Sequence, residues 1–185
     1  MRADVLEVKS QMKLYILRHG DAGQNGDPAY PNDDLRPLSQ KGMQRTRSLA
    51  HALRGMEIEF DEIISSPLKR ARQTAEIIER GVLFKGRLEL SAHLSPTGDM
   101  EKLMTQLAGI HPEPDSVLIV GHEPYLSALI SLLCIGGGGL PVTMRKGGLC
   151  RLEVESPRAG KCATLEWLLT PRMFESKRPK RKSTR

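Results

Sequence analysis

Two short, continuous apolar runs constrain the fold of this chain more than any other feature. Residues 14–17 read LYIL and residues 117–120 read VLIV, and in neither run do polar and apolar side chains alternate. A strand that is apolar on both faces has to be covered on both faces, as strands are inside a parallel sheet packed between helices. The two runs therefore predict a chain folded around a buried, largely parallel sheet.

Helical segments separate these runs from other strand-like segments. Ser39 is the predicted N-cap of a helix that ends at Gly55, Pro67 lies near the start of a helix that ends at Gly81, and Pro124 opens a third helix. The other predicted elements are a helix at 99–107 and strands at 62–66, 87–90, 147–154 and 163–169. This alternation predicts an α/β fold, a three-layer α/β/α sandwich around a mostly parallel sheet, with the last two strands as an antiparallel edge.

Length and charge divide the chain into one domain and two ends. The 185 residues suffice for a single domain, which we assign to 13–171, between an N-terminal extension at 1–12 and a tail at 172–185. The tail holds seven lysines and arginines and one glutamate, which accounts for the whole net charge of +6. Because such a basic segment predicts a disordered terminus, we expect no membrane partner and no nucleic-acid contact except through this tail.

The composition excludes several classes of protein. The chain is 39% apolar and 27% charged, and no stretch reaches the roughly 18 apolar residues of a membrane span. Its first residues lack the apolar core of a secretory signal, which predicts a cytoplasmic protein. Cys134, Cys150 and Cys162 form no CxxC pair, so we expect reduced, structural thiols without a disulfide or a zinc site.

Polar residues follow three of the predicted strands at equivalent places. Arg18 and His19 end the first strand, Arg70 lies in the first turns of the helix after the second, and His122 ends the strand at 117–120. The carboxyl ends of parallel strands meet at one edge of a sheet, where ligands bind. Helices that start nearby add positive dipole ends and free N–H groups to this rim. The four side chains should therefore line one crevice that attracts an anion.

The types of residue in this crevice favour phosphoryl transfer over metal binding. Guanidinium groups repel a metal ion, whereas the planar fork of an arginine binds two phosphate oxygens, and an imidazolium can donate a further charge-assisted hydrogen bond. A second histidine is then free to attack phosphorus and to form a covalent phosphohistidine. Such a site requires neither a metal nor a cofactor.

Three motifs at these positions carry a family resemblance. LRHGDA at 17–22 resembles the RHG signature of the histidine phosphatase superfamily, which includes phosphoglycerate mutases and acid phosphatases. SSPLKRARQTAEI at 65–77 and LIVGHEPYLSALI at 118–130 are similar to its second and third motifs. Together with RPLSQKG at 36–42, this compact set resembles SixA-type phosphohistidine phosphatases over residues 13–169. The resemblance implies a phosphoglycerate mutase-like fold.

The same resemblance implies a role for each matching residue. His19 would be the nucleophile, Arg18 and Arg70 would hold the non-bridging oxygens, and His122 would donate to one of them and stabilise the transition state. Arg36, in the RPLS stretch at 36–39, either lines the phosphate pocket or pairs with Asp33 or Asp34. We expect no metal ligand among these residues.

The chain departs from the family pattern at the general acid. Many relatives place a carboxylic acid after the third strand, where His93 stands here. Protonated His93, or neutral Glu89 or Asp99, could serve instead, or the leaving group could need no strong acid. An imidazole leaves as a stable neutral ring, whereas an alkoxide requires a proton. The departure therefore favours a phosphoramidate substrate over a phosphate ester.

The spacing of the motifs bears on the size of the substrate. About fifty residues separate Arg70 from His122, which is too few for an inserted lid domain. An open site suits a phosphohistidine on a signalling or phosphotransfer protein, and this is the leading hypothesis. Two alternatives remain open: a phosphatase of small phosphoesters such as a sugar phosphate or nucleotide, and a non-catalytic protein that binds phosphate to dock its partners.

Overall fold

The computed structural model describes residues 11–84 and 86–174 of the chain. Its centre is a six-stranded sheet with the strand order β5-β3-β6-β1-β7-β8. The strands of this sheet are β1 (Met12–Arg18), β3 (Glu62–Ser65), β5 (Leu88–Leu90), β6 (Ser116–Gly121), β7 (Leu149–Val154) and β8 (Ala163–Leu169). A separate two-residue pairing joins β2 (Glu59–Phe60) to β4 (Leu83–Phe84).

The direction of the strands follows the apolar pattern. The four strands β5, β3, β6 and β1 run parallel, and β7 and β8 add an antiparallel edge beside β1. All six residues of β6 are buried, as a strand covered on both faces requires. Register pairs Arg18 with Gly121 and Ser65 with Val120, so that β1, β3 and β6 end at the same edge of the sheet.

Four helices cover the two faces of the sheet. The helices α1 (Gln40–Gly55) and α2 (Lys69–Gly81) pack with one buried apolar cluster, and α3 (Met100–Ala108) and α4 (Tyr125–Ile135) pack with the other. Neighbouring residues of β1 alternate between the clusters, with Leu14 and Ile16 in one and Tyr15 and Leu17 in the other. The α/β/α sandwich around a mostly parallel sheet, predicted from the sequence, is confirmed, including its antiparallel edge.

The ends of the helices follow local sequence signals. The Ser39 side chain accepts a hydrogen bond from the amide of Gly42 at the start of α1, and Asp99 caps α3 in the same way. Gly136 ends α4 in the left-handed region, with φ at 82°, which glycine adopts without a steric cost. The helix α2 begins two residues after Pro67, slightly later than predicted.

The ends of the folded unit lie slightly outside the predicted domain. Met12 is the first residue of β1 and is buried, one position before the assigned boundary. A short 3-10 helix (Pro171–Met173) follows β8, and Phe174 after it packs into the same cluster as Leu17. Residues 1–10 and 175–185, on which most of the predicted extension and basic tail fall, lie outside the described residues.

Two further observations concern the class of protein. None of the helices in the described part of the chain has the length and apolar character that a membrane span requires. Cys134, Cys150 and Cys162 are free thiols, and burial raises the pKa of Cys134 and of Cys150.

Candidate active site

Three neighbouring strand ends bring the four predicted site residues together. Arg18 is the last residue of β1, and the amide of His19 donates to the carbonyl of Gly121 at 3.0 Å, which ties the end of β1 to the end of β6. His122 follows β6, and Arg70 lies in the first turn of α2, just after β3. The ring centroids of His19 and His122 are 5.0 Å apart. The strand order of the sheet therefore creates the predicted cluster.

The imidazole of His19 is buried and neutral. Its Nδ1 lies 2.7 Å from the carbonyl oxygen of Gly20, and because a carbonyl can only accept, Nδ1 carries the proton. Burial, with the neighbouring His122 and the two arginines, lowers the pKa of His19 to about 3. The lone pair of Nε2 is therefore free at neutral pH, as a nucleophile needs.

A hydroxyl group fixes the backbone beside this histidine. The amide of Gly20 donates to Oγ1 of Thr74 at 3.0 Å, and the same hydroxyl donates to the carbonyl of Arg70 at 2.7 Å. Both groups are buried, so the contacts form without competition from water. Thr74 thus links the loop that carries His19 to the helix that carries Arg70.

Two arginines present buried donors beside the histidines. Nη1 of Arg18 donates to the carbonyl of Met144 at 2.7 Å, and Nη1 of Arg70 donates to the backbone carbonyl of Asp33 at 2.8 Å. Nε of each arginine is buried without a hydrogen-bond partner among the described residues. Burial lowers the pKa of both guanidinium groups, which nevertheless stay charged at neutral pH. Unpartnered cationic donors at one site favour an anionic ligand.

Arg36 forms an ion pair and also lies near the site. Its Nε donates to Oδ1 of Asp33 at 2.7 Å, and its Nη1 donates to the carbonyl of Ala22 at 2.7 Å. Of the two roles left open by the sequence, the structure therefore shows the pairing with Asp33. The charge of Arg36 still contributes to lowering the pKa of Arg70 and of His122.

The three candidate general acids lie in different surroundings. Glu89, in β5, accepts a hydrogen bond from Gln106 at 3.1 Å, and Asp99 caps α3 with a carboxyl pKa that the amide of Lys102 lowers. Asp99 is therefore ionised at neutral pH and has no proton to give. His93 is half-buried in a 3-10 helix (Ala92–Leu94) that follows β5, with no hydrogen bond to its ring among the described residues.

Sequence reasoning missed residues that hold the four site residues in place. Ser66 contacts His122, Thr74 contacts Gly20, and Asp33 contacts Arg70. Ser66 and Thr74 lie inside the motif SSPLKRARQT. The signal that could have identified them is a small hydroxyl side chain close in sequence to Arg70. The approach of Asp33 depends on the path of a loop, for which the sequence offers only turn residues.

The site as a whole is suited to bind a tetrahedral oxyanion. The rings of His19 and His122 have centroids 5.0 Å apart, and the charges of the half-buried Arg18 and the buried Arg70 act on both rings. No group of three or more His, Cys, Asp or Glu side chains with the geometry of a metal site occurs in residues 11–84 and 86–174. The guanidinium groups of Arg18 and Arg70 are positive charges that can stabilise an anion electrostatically.

This arrangement belongs to a known class of protein. The sequence model of the histidine phosphatase superfamily (branch 1) matches residues 14–94, which include Arg18, His19 and Arg70. The chain belongs to this superfamily, and this membership supports phosphatase activity.

Within the superfamily, the chain is similar to SixA-type members. It is 28% identical to the phosphohistidine phosphatase SixA of Escherichia coli K12 over 161 residues, which cover 86% of this chain and 94% of SixA. The structure of the protein histidine phosphatase SixA complexed with tungstate superposes with a TM-score of 0.76 over 89% of this chain and 100% of that one, at 28% identity. An uncharacterized protein of Picosynechococcus sp. is 34% identical over 148 residues, covering 80% of this chain and 88% of the relative.

Proposed function

We propose that this chain removes phosphate from phosphohistidine on a signalling or phosphotransfer protein, through a covalent phosphohistidine at His19 and without a metal ion. The observation that carries the proposal is the state of His19, a buried neutral imidazole with its Nδ1 proton held by Gly20 and its Nε2 free. Further support comes from three buried nitrogens that have no partner among the described residues, which are Nε of Arg18, Nε of Arg70 and Nδ1 of His122.

The proposed reaction has two steps. In the first, Nε2 of His19 attacks phosphorus in line, the bond from phosphorus to the substrate nitrogen breaks, and the substrate ring, already protonated on its other nitrogen, leaves as a neutral imidazole. In the second, water attacks the phosphorus on His19, the bond from phosphorus to Nε2 breaks, and the ring returns to its neutral state while phosphate and the proton lost by the water leave to solvent. Arg18 and Arg70 hold the non-bridging oxygens in both steps, and His122 donates to the charge that develops on them.

Two features support phosphohistidine as the substrate. The connection from α2 to β6 holds β4, β5, a 3-10 helix, α3 and short turns, so the described residues contain no lid domain inserted between Arg70 and His122. A site without such an insertion suits a phosphohistidine carried on a protein better than one that closes over a small molecule. Asp99 is ionised as the cap of α3, and Glu89 accepts a hydrogen bond from Gln106, and from these two engagements we infer the lack of a carboxylic acid that protonates the leaving group. An imidazole leaving group tolerates this lack better than an alkoxide.

A comparison of substrates tests the proposal. We expect kcat/KM for a histidine-phosphorylated phosphotransfer protein to exceed that for glucose 6-phosphate and adenosine monophosphate by at least about 10²-fold, the typical contribution of a positioned acid that the esters would need. Comparable or higher values for the esters would favour a small-molecule phosphatase. No turnover of any substrate, with phosphate still bound, would favour a docking protein.

Trapping of the intermediate tests the nucleophile separately. Brief incubation with a ³²P-labelled substrate and an alkaline quench should leave label on the wild-type chain and none on His19→Ala. His51→Ala is the matched control, because His51 is an exposed histidine on α1. Label on a residue other than His19 would refute the covalent mechanism.

A further inference from the structure

A buried hydroxyl contacts the second histidine of the site. Oγ of Ser66 lies 2.8 Å from Nε2 of His122, and the Ser66 residue is 0% exposed. The same oxygen accepts a hydrogen bond from the amide of Leu68 at 3.3 Å. The amide of Ser66 donates to the carbonyl of Val120 at 2.9 Å, which fixes the serine against the strand that ends at His122.

The direction of the proton between Ser66 and His122 follows from the other contacts. The Leu68 amide can only donate, so it uses one lone pair of Oγ. No acceptor other than Nε2 of His122 lies within reach of the Ser66 proton among the described residues. If Nε2 carried the ring proton, the buried hydroxyl would keep a donor without an acceptor, which is costly. Ser66 therefore donates, and Nε2 accepts.

This direction determines where the proton of His122 lies. Burial and the charges of Arg70 and Arg18 lower the pKa of His122 to about 3, so the ring is neutral and carries one proton. With Nε2 occupied as an acceptor, that proton is on Nδ1, which is buried and has no partner among the described residues. The ring thus has Nε2 held by Ser66 and an N–H at Nδ1 that no described residue accepts, and its centroid lies 5.0 Å from that of the His19 ring.

We infer that Ser66 is a positioning residue that sets His122 in the Nδ1–H tautomer, so that a neutral imidazole donates to the phosphoryl oxygens. The inference deepens the proposed function, on which the catalytic part of it rests. Burial and the charges of Arg70 and Arg18 keep this ring neutral, so that it contributes a hydrogen bond while the two arginines supply the positive charge. In the opposite tautomer, His122 would present a lone pair to the anion and repel it.

The tautomer is measurable in the free enzyme, without any turnover. Long-range ¹H–¹⁵N spectra of the histidine-labelled full chain at pH 7 distinguish the protonated ring nitrogen from the bare one. We expect His122 to be protonated on Nδ1 in the wild type, whatever the substrate of the enzyme proves to be. A wild-type ring protonated on Nε2 would overturn the inference, and this measurement does not depend on whether any variant folds.

Variants of Ser66 test the consequence for anion binding. In Ser66→Ala, we expect the tautomer of His122 to change or become mixed, tungstate to bind about tenfold more weakly, and kcat to fall by about 10–10². Ser66→Thr, which keeps the hydroxyl, should restore the wild-type tautomer. Ser65→Ala is the matched control, because among the described residues the buried Ser65 hydroxyl donates to the carbonyl of Ser66 and to no side chain.

A double-mutant cycle separates positioning from a merely structural role. If Ser66 acts through His122, Ser66→Ala should weaken tungstate binding little in a His122→Ala background. An undiminished loss in that background would overturn the inference, as would an unchanged tautomer in Ser66→Ala. If the double-mutant cycle for tungstate binding gives the expected result but the enzyme does not hydrolyse phosphohistidine, the proposed function is contradicted and the inference about Ser66 is not.

Discussion

Asp33 holds Arg70 with two different acceptors. Its carboxylate Oδ2 lies 3.0 Å from Nη1 of Arg70, and its backbone carbonyl lies 2.8 Å from the same nitrogen. A hydrogen bond from Arg36 and the charges of both arginines hold the pKa of the Asp33 carboxyl below its usual range. One of the two arginines proposed to bind phosphate is thus partly neutralised by an anion that also fixes its position.

Asp33→Asn removes this negative charge while the backbone contact to Arg70 remains. We expect tungstate and phosphate to bind a few-fold more tightly, because a carboxylate that is 40% exposed and a few ångströms away contributes about 1 kcal/mol of repulsion at most. Isothermal titration at low and high salt measures the change, which should shrink with salt. Asp34→Asn is the control, and it should change the affinity for tungstate and phosphate less than Asp33→Asn does. Weaker binding in Asp33→Asn would mean that orientation of Arg70 outweighs its charge.

The two buried histidines should make the stability of the fold depend on pH. The pKa of His19 and of His122 lies near 3 in the folded chain, against about 6.5 in the unfolded chain. Below pH 6.5 the unfolded state therefore binds more protons, and the free energy of unfolding should fall as the pH drops toward 3, by up to about 1.4 kcal/mol per pH unit for each histidine. Above pH 7 the two rings are neutral in the folded and the unfolded chain, so they should not make the free energy of unfolding depend on pH.

Urea unfolding between pH 4 and 8 measures this dependence. His19→Ala should flatten the slope below pH 6.5, and His51→Ala, at an exposed histidine, should leave it unchanged. An identical slope in wild type and His19→Ala would show that the burial of His19 does not exclude its protonation.

The response to chelators and to phosphate mimics follows from the charges of the site. Because Arg18 and Arg70 supply the positive charge near His19, EDTA should leave kcat/KM unchanged, whereas vanadate and tungstate should inhibit competitively. Steady-state kinetics with p-nitrophenyl phosphate after dialysis against EDTA measure both effects. Loss of activity that magnesium or zinc restores would contradict this prediction.

The sequence predicted the parts of the fold that depend on the local chain. The run at 117–120 is apolar at every position because β6 is buried on both faces, and Ser39 caps α1 through a bond to an amide three residues on. The pairing of β2 with β4 escaped prediction because two-residue strands have no measurable period. Phe174 was assigned to the tail because a single aromatic residue in a basic segment gives no sign of its tertiary partners.

Some residues of the site are likewise predictable from the local sequence, whereas the contacts of others depend on the tertiary fold. Arg18, His19 and His122 were predictable because they end strands, and the carboxyl ends of parallel strands converge. Ser66 and Asp33 were not, since each acts on a residue that lies 56 or 37 positions away in the chain. Hydrogen-bond partners at such separations depend on strand order and loop path, neither of which a single sequence specifies.

The burial of Phe174 moves the expected end of the folded unit. A chain of residues 12–174 should keep its melting temperature, whereas a chain of residues 12–171 should lose about 2–3 kcal/mol of stability, the value of one buried aromatic side chain. For a domain of this size, that loss lowers Tm by roughly 4–10 °C. Met173→Ala is the control, because Met173 is 65% exposed and Phe174 only 9%. Equal melting temperatures for the two chains would mean that Phe174 contributes nothing to the core.

The role of His93 decides between two classes of substrate. If the site lacks a general acid, it should hydrolyse phosphohistidine and activated aryl phosphates much faster than alkyl phosphates, because a poor leaving group needs a proton in the transition state and a positioned acid supplies about 10²–10⁴-fold. The half-buried His93 ring makes no hydrogen bond within the described residues, so we expect His93→Ala to change all substrates alike.

Two results of this comparison between alkyl phosphates, aryl phosphates and phosphohistidine would contradict the prediction. A selective loss of alkyl phosphate hydrolysis in His93→Ala, with aryl phosphates and phosphohistidine unaffected, would identify His93 as the acid. Rapid hydrolysis of alkyl phosphates by the wild type and by His93→Ala alike would point to another acid, and Glu89→Gln then tests the remaining carboxyl, since Asp99 is ionised as the cap of α3. Either result would favour a small phosphoester over a phosphohistidine protein as the substrate, because an alkoxide is the leaving group that needs a proton from a positioned acid.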